Sequence, residues 1–349
     1  MTRTAKQVFC SLLVALLFAP AIFAKEDAHE LMAKSFQQAG IWSQGPVKLV
    51  AQVRLPQPSG DINVTYTVSW VGPDKWRSEW SAQGLQDVTV LNNGKLSHFT
   101  NQKGPIVWAM LFESALGTLD GGDPAGPYTA MPPLDWQKAK LDSSKKKVEA
   151  ADAKCVAFGQ PADTLCFDPA NARLLTADAD FTTFEYSDYT TNGNNTYPQT
   201  VKVSFAKQLL CEGKVTVTRG EKFAHALFTA PEKSTTVDWP ACADVDKNFT
   251  APHVSKMVPA KMPDAAKKAK KYGVVWVQAD VSKDGSVTTA TPLGGDPELN
   301  PAATDAVQQY KFSPYTRCSQ AVAFQRLVMV PFAPPQDSQQ NQGAVVTPH

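Results

Sequence analysis

From Val47 to Arg219 the apolar residues keep returning at every second position, in segments separated by short polar turns. That is the period of a half-buried β-strand. "VKLVAQVRL" and "DINVTYTVSW" alternate in this way, and in "WRSEW" Trp76, Ser78 and Trp80 share one face while Arg77 and Glu79 take the other. "VTVLNNGKLSHFT" reads as a hairpin, because Asn93-Gly94 supplies the two positive-φ positions of a type I′ turn. Strands resume near Lys147, in "KKVEAADAKCVAF", "TLCFDPANARLLTADAD", "TTFEYSDYTT", "TVKVSFAKQ" and "GKVTVTR". The expectation is an antiparallel sheet of about eight to ten strands, which must curl or take up a helix to bury its apolar face. Two segments have helical spacing. Ala28, Leu31, Met32, Phe36 and Ala39 form the apolar stripe of residues 25–39, and Ile106–Leu116 reads as a buried helix.

The first residues, "MTRTAKQVFCSLLVALLFAPAIFA", place Arg3 and Lys6 before an apolar run from Val8 to Phe23 that ends at the small Ala24. This is the layout of a secretory signal cleaved after Ala24. An uncleaved membrane anchor is the alternative, although the run is short for a hydrocarbon layer of roughly 30 Å. The formal charge is +1, and without Arg3 and Lys6 the chain carries 32 cations against 33 carboxylates. Composition therefore offers no case for nucleic acid. Export changes how the cysteines read. Cys155 and Cys166 are equidistant from Gln160-Pro161, so they face each other across a hairpin and are expected to pair in an oxidising compartment. Cys242–Cys318 would tie the following linker to the last domain, but the spacing does not choose among Cys211, Cys242 and Cys318.

Residues 236–262, "TVDWPACADVDKNFTAPHVSKMVPAKM", read as a linker, and the tail from Ala333 as disordered. Between them lies a compact unit. "MPDAAKKAKKYG" is a short helix with Asp264 as its candidate cap. "VVWVQADVS" and "SVTTATPLG" pair around "KDG", where Gly285 takes the positive φ. Asn300 is the candidate cap of a second helix, with Pro301 in its first turn and a buried stripe of Ala303, Ala306, Val307 and Tyr310. "AVAFQRLVMVPF" closes the unit as a strand. The expected fold is two helices on one face of a three-stranded sheet.

This unit resembles the C-terminal domain of TonB-family energy transducers. The resemblance rests on the Pro-x-x-Ala-basic helix, the "KDG" hairpin, "LNPAATDAV", "YKFSP" and the closing strand ending in "VPF", over residues 252–333. Residues 25–235 resemble the LolA/LolB lipoprotein-carrier half-barrel in the order of "GPDKWRSEW", "NNGK", "CFDPANARLL", "YPQTVKVSF" and "ALFTAPE". The fold class is then α+β, a curved antiparallel β half-barrel with helices followed by a TonB C-terminal-like α+β domain. The domains are a signal at 1–24, the β domain at 25–235, a linker at 236–251, the last domain at 252–333 and a tail at 334–349. The transducer family carries an uncleaved anchor and a long Pro-rich rod, where this chain has a cleavable-looking segment and a folded β domain.

What the first resemblance implies is capture of an extended peptide or protein, an outer-membrane transporter among the partners, by strand addition at an open sheet edge. The candidate edge is Val322–Pro331. The partner-binding candidates are Tyr310, Lys311, Tyr315, Val322, Phe324, Gln325, Arg326 and Val328. The alternatives are that this strand is protected, or pairs with its own twin in a homodimer, and that Tyr310 is a core residue. The second resemblance suggests a lipid pocket lined by Trp70, Trp76, Trp80, Phe99 and Trp108, with plain core packing as the alternative. Chemistry is otherwise absent: there is no GxSxG, HExxH, P-loop or GxGxxG, and the five histidines have no ligand spacing. No enzyme activity, metal or cofactor is expected. Asp280 and Asp284 read as turn residues, because the calcium-loop spacing fails after them. "SSKKK" reads as a charged loop.

Overall fold

The structure is a computed structural model of the 349-residue chain. It describes residues 28–42, 45–57, 59–102, 106–119, 141–148, 151–158, 163–179, 182–240, 252 and 254–333. The signal reading at 1–24, the tail at 334–349 and most of the linker fall outside these residues. No helix among the described residues is long and apolar enough to cross a membrane.

Among the described residues, thirteen of the strands form one antiparallel sheet. Its first meander is β1 (Val47–Leu55), β2 (Ile62–Gly72), β3 (Lys75–Ala82), β4 (Leu85–Asn92) and β5 (Lys95–Thr100). The second is β6 (Asp142–Val148), β7 (Ala151–Phe158), β8 (Asp163–Phe167), β9 (Leu174–Ala179), β10 (Thr182–Asn192), β11 (Asn195–Phe205) and β12 (Gln208–Arg219). The two meanders join where β12 lies beside β1, in register from Val47↔Arg219 to Arg54↔Glu212. A last strand, β13 (Thr235–Asp238), adds to the outer side of β5. The sheet is curved, and it carries two helices on its inner face. α1 (Ala28–Ala39) packs on β11, and α2 (Val107–Thr118) on β11 and β12.

Local chemistry accounts for these elements. α1 buries Ala28, Leu31, Met32, Phe36 and Ala39, the expected stripe. α2 is apolar nearly all round and is buried accordingly. Its Phe112 ring lies against Gly213 of β12, where an added Cβ would stand 2.3 Å from Cζ. Tyr186 donates its hydroxyl to Ala115 O at 2.8 Å and so holds the helix over the second meander. The β4–β5 hairpin turns at Asn93 and Gly94 with φ of 52° and 69°, the pair a type I′ turn requires. Cys155 and Cys166 face each other across β7 and β8 and form a disulfide on the outer face. Cys318 is also disulfide-bonded, to a partner outside the described residues. Cys211 is the free thiol among the described residues, and burial pushes its pKa up to about 12.

Four expectations need correction. The sheet has thirteen strands, more than the eight to ten expected. "SSKKK" is part of strand β6, and Thr235–Asp238 is a strand that reaches into the expected linker. Both are sheet edges exposed along almost their whole length, so neither has the apolar alternation that betrays a strand. The caps also shift by one residue: Pro263 caps the basic helix and Leu299 the later one.

The C-terminal unit has the expected order. α3 (Asp264–Lys268) precedes β15 (Gly273–Val281) and β16 (Val287–Gly294); α4 (Asn300–Gln308) and β20 (Phe324–Phe332) follow. The sheet order is β16-β15-β20. α4 packs on β15 and β16 through Ala303, Ala306 and Val307. Two small ladders complete the unit: β14 (Val254–Lys256) with β17 (Lys311–Phe312), and β18 (Tyr315–Arg317) with β19 (Gln320–Val322). The unit is anchored to the large sheet. Trp239 donates its backbone N–H to Gly94 O at 2.8 Å, and its ring stands 6.0 Å from that of Tyr315. Arg317 lies 5.2 Å from the Trp239 ring and donates Nε to Pro240 O at 2.8 Å. Phe205 meets Trp276 edge-on at 5.0 Å.

Two measurements test the β15–β16 turn. Gly285 has φ of 80°, and an added Cβ would sit 1.9 Å from Phe312 O. Gly285→Ala is expected to destabilise the protein by roughly 2 kcal/mol or more, read as a lower urea midpoint at unchanged m-value; an unchanged midpoint contradicts the geometry. Next to it, Asp284 accepts from the Ser282 hydroxyl and from the Ser286 hydroxyl and N–H. These bonds lower its pKa from 3.8 to about 2. A carboxylate held below its unfolded value stabilises the fold above that value and loses this effect as pH falls through the folded one. Asp284→Asn is therefore expected to melt below the parent at neutral pH, and the gap to close between about pH 4 and pH 2. A pH-independent gap contradicts it.

Candidate functional site

Two places in the fold carry the residues singled out from sequence. The first is β20. It pairs with β15 in register from Gly273↔Phe332 to Val281↔Phe324, and no described strand lies on its other side. Residues directly opposite in a ladder share a face. Arg326, Val328 and Val330 therefore lie on the side of Val275, Val277 and Ala279, while Gln325, Leu327 and Met329 lie on the side of Trp276, Gln278 and Asp280. Gln325 and Gln278 both donate to Asp280 Oδ1, at 2.7 and 3.2 Å. Compared with β20, the other edges are blunted. β6 presents Lys145, Lys146 and Lys147 to solvent, β13 is polar but for Val237, and β16 carries Pro292 and two register shifts against β15. β20 carries Leu327, Val328, Met329 and Val330 in sequence, with Pro331 only near its end.

The sequence-derived residues divide around this edge. Gln325, Arg326 and Val328 lie in β20, as does Phe324 at its start. Tyr310, Tyr315, Val322 and Phe324 are buried, at most 6% exposed. Phe324 meets Phe312 and Tyr315 at 5.8 Å each. They form the packing that holds the edge strand in place. Lys311 is exposed, and its amine donates to the Ser286 hydroxyl. The expected strand Val322–Pro331 begins instead at Phe324, because Val322 pairs with Tyr315 in the β18–β19 hairpin. Cys318 and Ser319, with φ of 53° and 59°, make its tight turn. Nothing but that pair of positive-φ residues marks the turn, and neither is a glycine.

The second place is a cleft under α2. Trp70 pairs with Trp76 and Tyr66 with Trp80 across β2 and β3, so all four rings share the inner face with Ser78. Tyr66 stacks on Trp80 at 4.3 Å, and Trp108 and Phe112 of α2 meet Trp80 edge-on at 5.0 and 5.7 Å. Trp80 donates Nε1 to Glu113 Oε1 at 2.7 Å. These contacts fill the space around Trp80. A cleft remains between Trp42, Tyr66, Trp70 and Trp76 on one side and Glu113 and Leu116 on the other. Counted out to bulk solvent its empty space is about 370 Å³, but the part that admits a water is about 20 Å³. That is room for about one water. Of the five aromatics expected to line a pocket, Trp70 and Trp76 do so; Trp80, Phe99 and Trp108 do not. Trp80 is consumed by packing, and Phe99 lies on β5, opposite Val88. Trp42, Tyr66 and Glu113 were not anticipated. Tyr66 was legible, two positions from Val68 and four from Trp70 on one strand face.

The fold is thus an open, curved antiparallel sheet with helices on its inner face, followed by a small α+β unit. Residues 259–334 match the family model described as Gram-negative bacterial TonB protein C-terminal, which meets the resemblance read at 252–333. A comparison with curated proteins gives no match. Similar solved structures include a LolA superfamily protein from Nitrosomonas europaea, 12% identical, covering 58% of this chain and 97% of that one with a TM-score of 0.39. Another is a putative outer membrane lipoprotein-sorting protein domain from Vibrio parahaemolyticus, 10% identical, covering 56% and 95% with a TM-score of 0.37. A third is the Pseudomonas aeruginosa MucA/MucB complex, 11% identical, covering 82% and 99% with a TM-score of 0.27.

Proposed function

We propose that the chain is an exported, non-catalytic protein of the cell envelope that captures an extended peptide or protein segment by adding it to β20. The observation that carries this reading is a sheet border of consecutive apolar residues, Leu327 to Val330, left without a described neighbour in the unit that matches the TonB C-terminal family. An unpaired border offers every second N–H and C=O to a visiting strand, and those bonds supply affinity while flanking side chains supply selectivity. Gln325 and Arg326 stand at the entry to that border. An outer-membrane transporter is the partner the family resemblance suggests. Energy transduction is not part of the proposal, because a folded sheet stands where the family's transducers carry a rod.

A second reading is a periplasmic carrier of a lipid or lipoprotein through the β domain. It is favoured by the apolar inner face, which the helices α1 and α2 cover.

Successive residues of a strand direct their N–H groups to opposite sides. Of Val328→Pro and Met329→Pro, one therefore removes a donor from the border and the other from the ladder with β15. The border variant is expected to keep its melting temperature and lose about tenfold or more of the partner crosslinked in intact envelopes, since one lost hydrogen bond and a steric block act together. Equal capture by both prolines contradicts strand addition. For the carrier reading, native mass spectrometry of the full chain isolated from the periplasm is expected to show a bound acyl lipid; a bare polypeptide mass counts against it.

A further inference from the structure

Several lysines of this protein meet carboxylates: Lys95 meets Asp238, Lys214 meets Asp188, and Lys271 meets Asp296 and Glu298. Lys256, Lys261, Lys267, Lys268 and Lys270 do not. All five are exposed, and among the described residues none has a carboxylate within ion-pair distance. One carboxylate, Asp264, lies among them in sequence. The whole chain has a formal charge of only +1, so this concentration of charge is local.

The segment that carries these lysines is held in place. β14 pairs with β17, and after it Val258, Ala260 and Met262 pack on the core at alternate positions. Pro259 and Lys261, between them, are exposed, as extended backbone requires. α3 turns Ala266 to the core and leaves Lys267 and Lys268 in solvent. Two apolar side chains stand among the lysines. Val254 is 43% exposed and Met257 61%. The favourable end of a helix dipole accounts for Lys267 and Lys268. It does not account for Lys256 and Lys261, or for the exposed thioether beside them. The lysines of β6 differ in this respect, since no large apolar residue of that strand is exposed.

We propose that this face of the C-terminal unit docks on the surface of a bilayer that contains anionic phospholipid. The ammonium groups lie over the lipid phosphates, and Met257 and Val254 enter the interfacial layer. Such a surface matches both features at once. Anionic headgroups attract clustered lysines, with a gain of roughly fivefold in affinity for each. Apolar side chains between the lysines sit at the boundary of headgroup and acyl chain, where lysine stems are also accommodated. The docking is peripheral, because no described helix is long and apolar enough to cross a membrane. It uses no residue of β20, so it stands apart from strand capture.

The test sediments the full chain from Lys25 with vesicles of phosphatidylcholine, alone or mixed equally with phosphatidylglycerol. Binding is expected to the mixed vesicles only, and to weaken about tenfold or more as salt is raised from roughly 0.01 M to 0.15 M. Lys267→Gln, Lys268→Gln and Lys270→Gln together are expected to weaken it about a hundredfold at an unchanged melting temperature. Met257→Ser is expected to weaken it several-fold, because the thioether no longer enters the interface. The same loss of charge at Lys145, Lys146 and Lys147 is expected to leave the affinity within about twofold of the parent. The proposal is overturned by equal binding to the two kinds of vesicle or by binding to neither. It is also overturned if the β6 variant loses as much as the α3 variant, which makes net charge responsible, or if Met257→Ser binds like the parent. Soluble polyglutamate that binds as tightly as the mixed vesicles overturns it too, and assigns the face to an acidic protein segment.

Discussion

The ladder between β1 and β12 is the contact on which the rest of this architecture depends. It joins residues at least 158 positions apart along the chain, Arg54 and Glu212 being the nearest such pair, and their side chains also meet at 2.7 Å. Closing a loop of that length costs about 4–5 kcal/mol in chain entropy by the logarithmic rule. The ladder buries Val47, Leu49, Ala51 and Val53 from one strand and Val215 and Val217 from the other. At about 1.5–3 kcal/mol for each fully buried aliphatic side chain of Val size or larger, that burial exceeds the closure cost. Without the ladder there are two separate meanders, each with an apolar inner face and an open central edge. With it, the apolar strands lie in the middle and the polar ones, β6 and β13, are pushed to the two ends.

That displacement decides how the C-terminal unit is attached. β13 extends the sheet beyond β5 and delivers Trp239 and Pro240 to the surface on which Arg317 rests. A buried guanidinium is costly unless it is paired. Arg317, 7% exposed, has the Pro240 carbonyl, the Trp239 ring and, at 3.7 Å, the Asp74 carboxylate of the β2–β3 turn. The joint is therefore polar and directional, and the disulfide at Cys318 lies next to it in sequence. With its two ends blunted by lysines and by exposed polar residues, the large sheet offers no apolar edge among the described residues. The small sheet offers one, β20.

Much of this was legible because most strands are half buried and alternate. Asn93-Gly94, the facing cysteines, the α1 stripe and the order of the C-terminal unit all follow from local rules, and the structure places them as expected. The misses share a physical cause. β6 and β13 have no buried face, so their residues follow solubility and not periodicity. The turn at Cys318-Ser319 uses two residues with no special tolerance for positive φ, so the β18–β19 hairpin leaves no signal and Val322 reads as part of the final strand. The aromatic cleft was half legible. Two-residue spacing puts Trp70 and Trp76 on the inner face, but Glu113 arrives from a helix, and which rings remain uncovered depends on where Phe112 lands, against Gly213.

Energetics separates the two proposed uses of the molecule. On the carrier reading, an acyl chain that displaces α2 exposes Met110, Leu111, Phe112 and Leu116, which that helix buries. Exposing four such side chains costs about 6–12 kcal/mol. A chain of methylenes recovers about 0.8 kcal/mol for each one buried. A ligand with about eight to fifteen buried methylenes therefore balances the displacement of the helix, and a shorter one leaves the helix where it is. On the carrier reading this balance favours long acyl chains. Strand addition at β20 displaces no core residue: its supporting aromatics, Phe312, Tyr315 and Phe324, are already packed, and the visiting segment supplies the missing hydrogen bonds. The smaller energetic barrier lies at the edge, which is why peptide capture ranks ahead of lipid carriage as the reading of this fold.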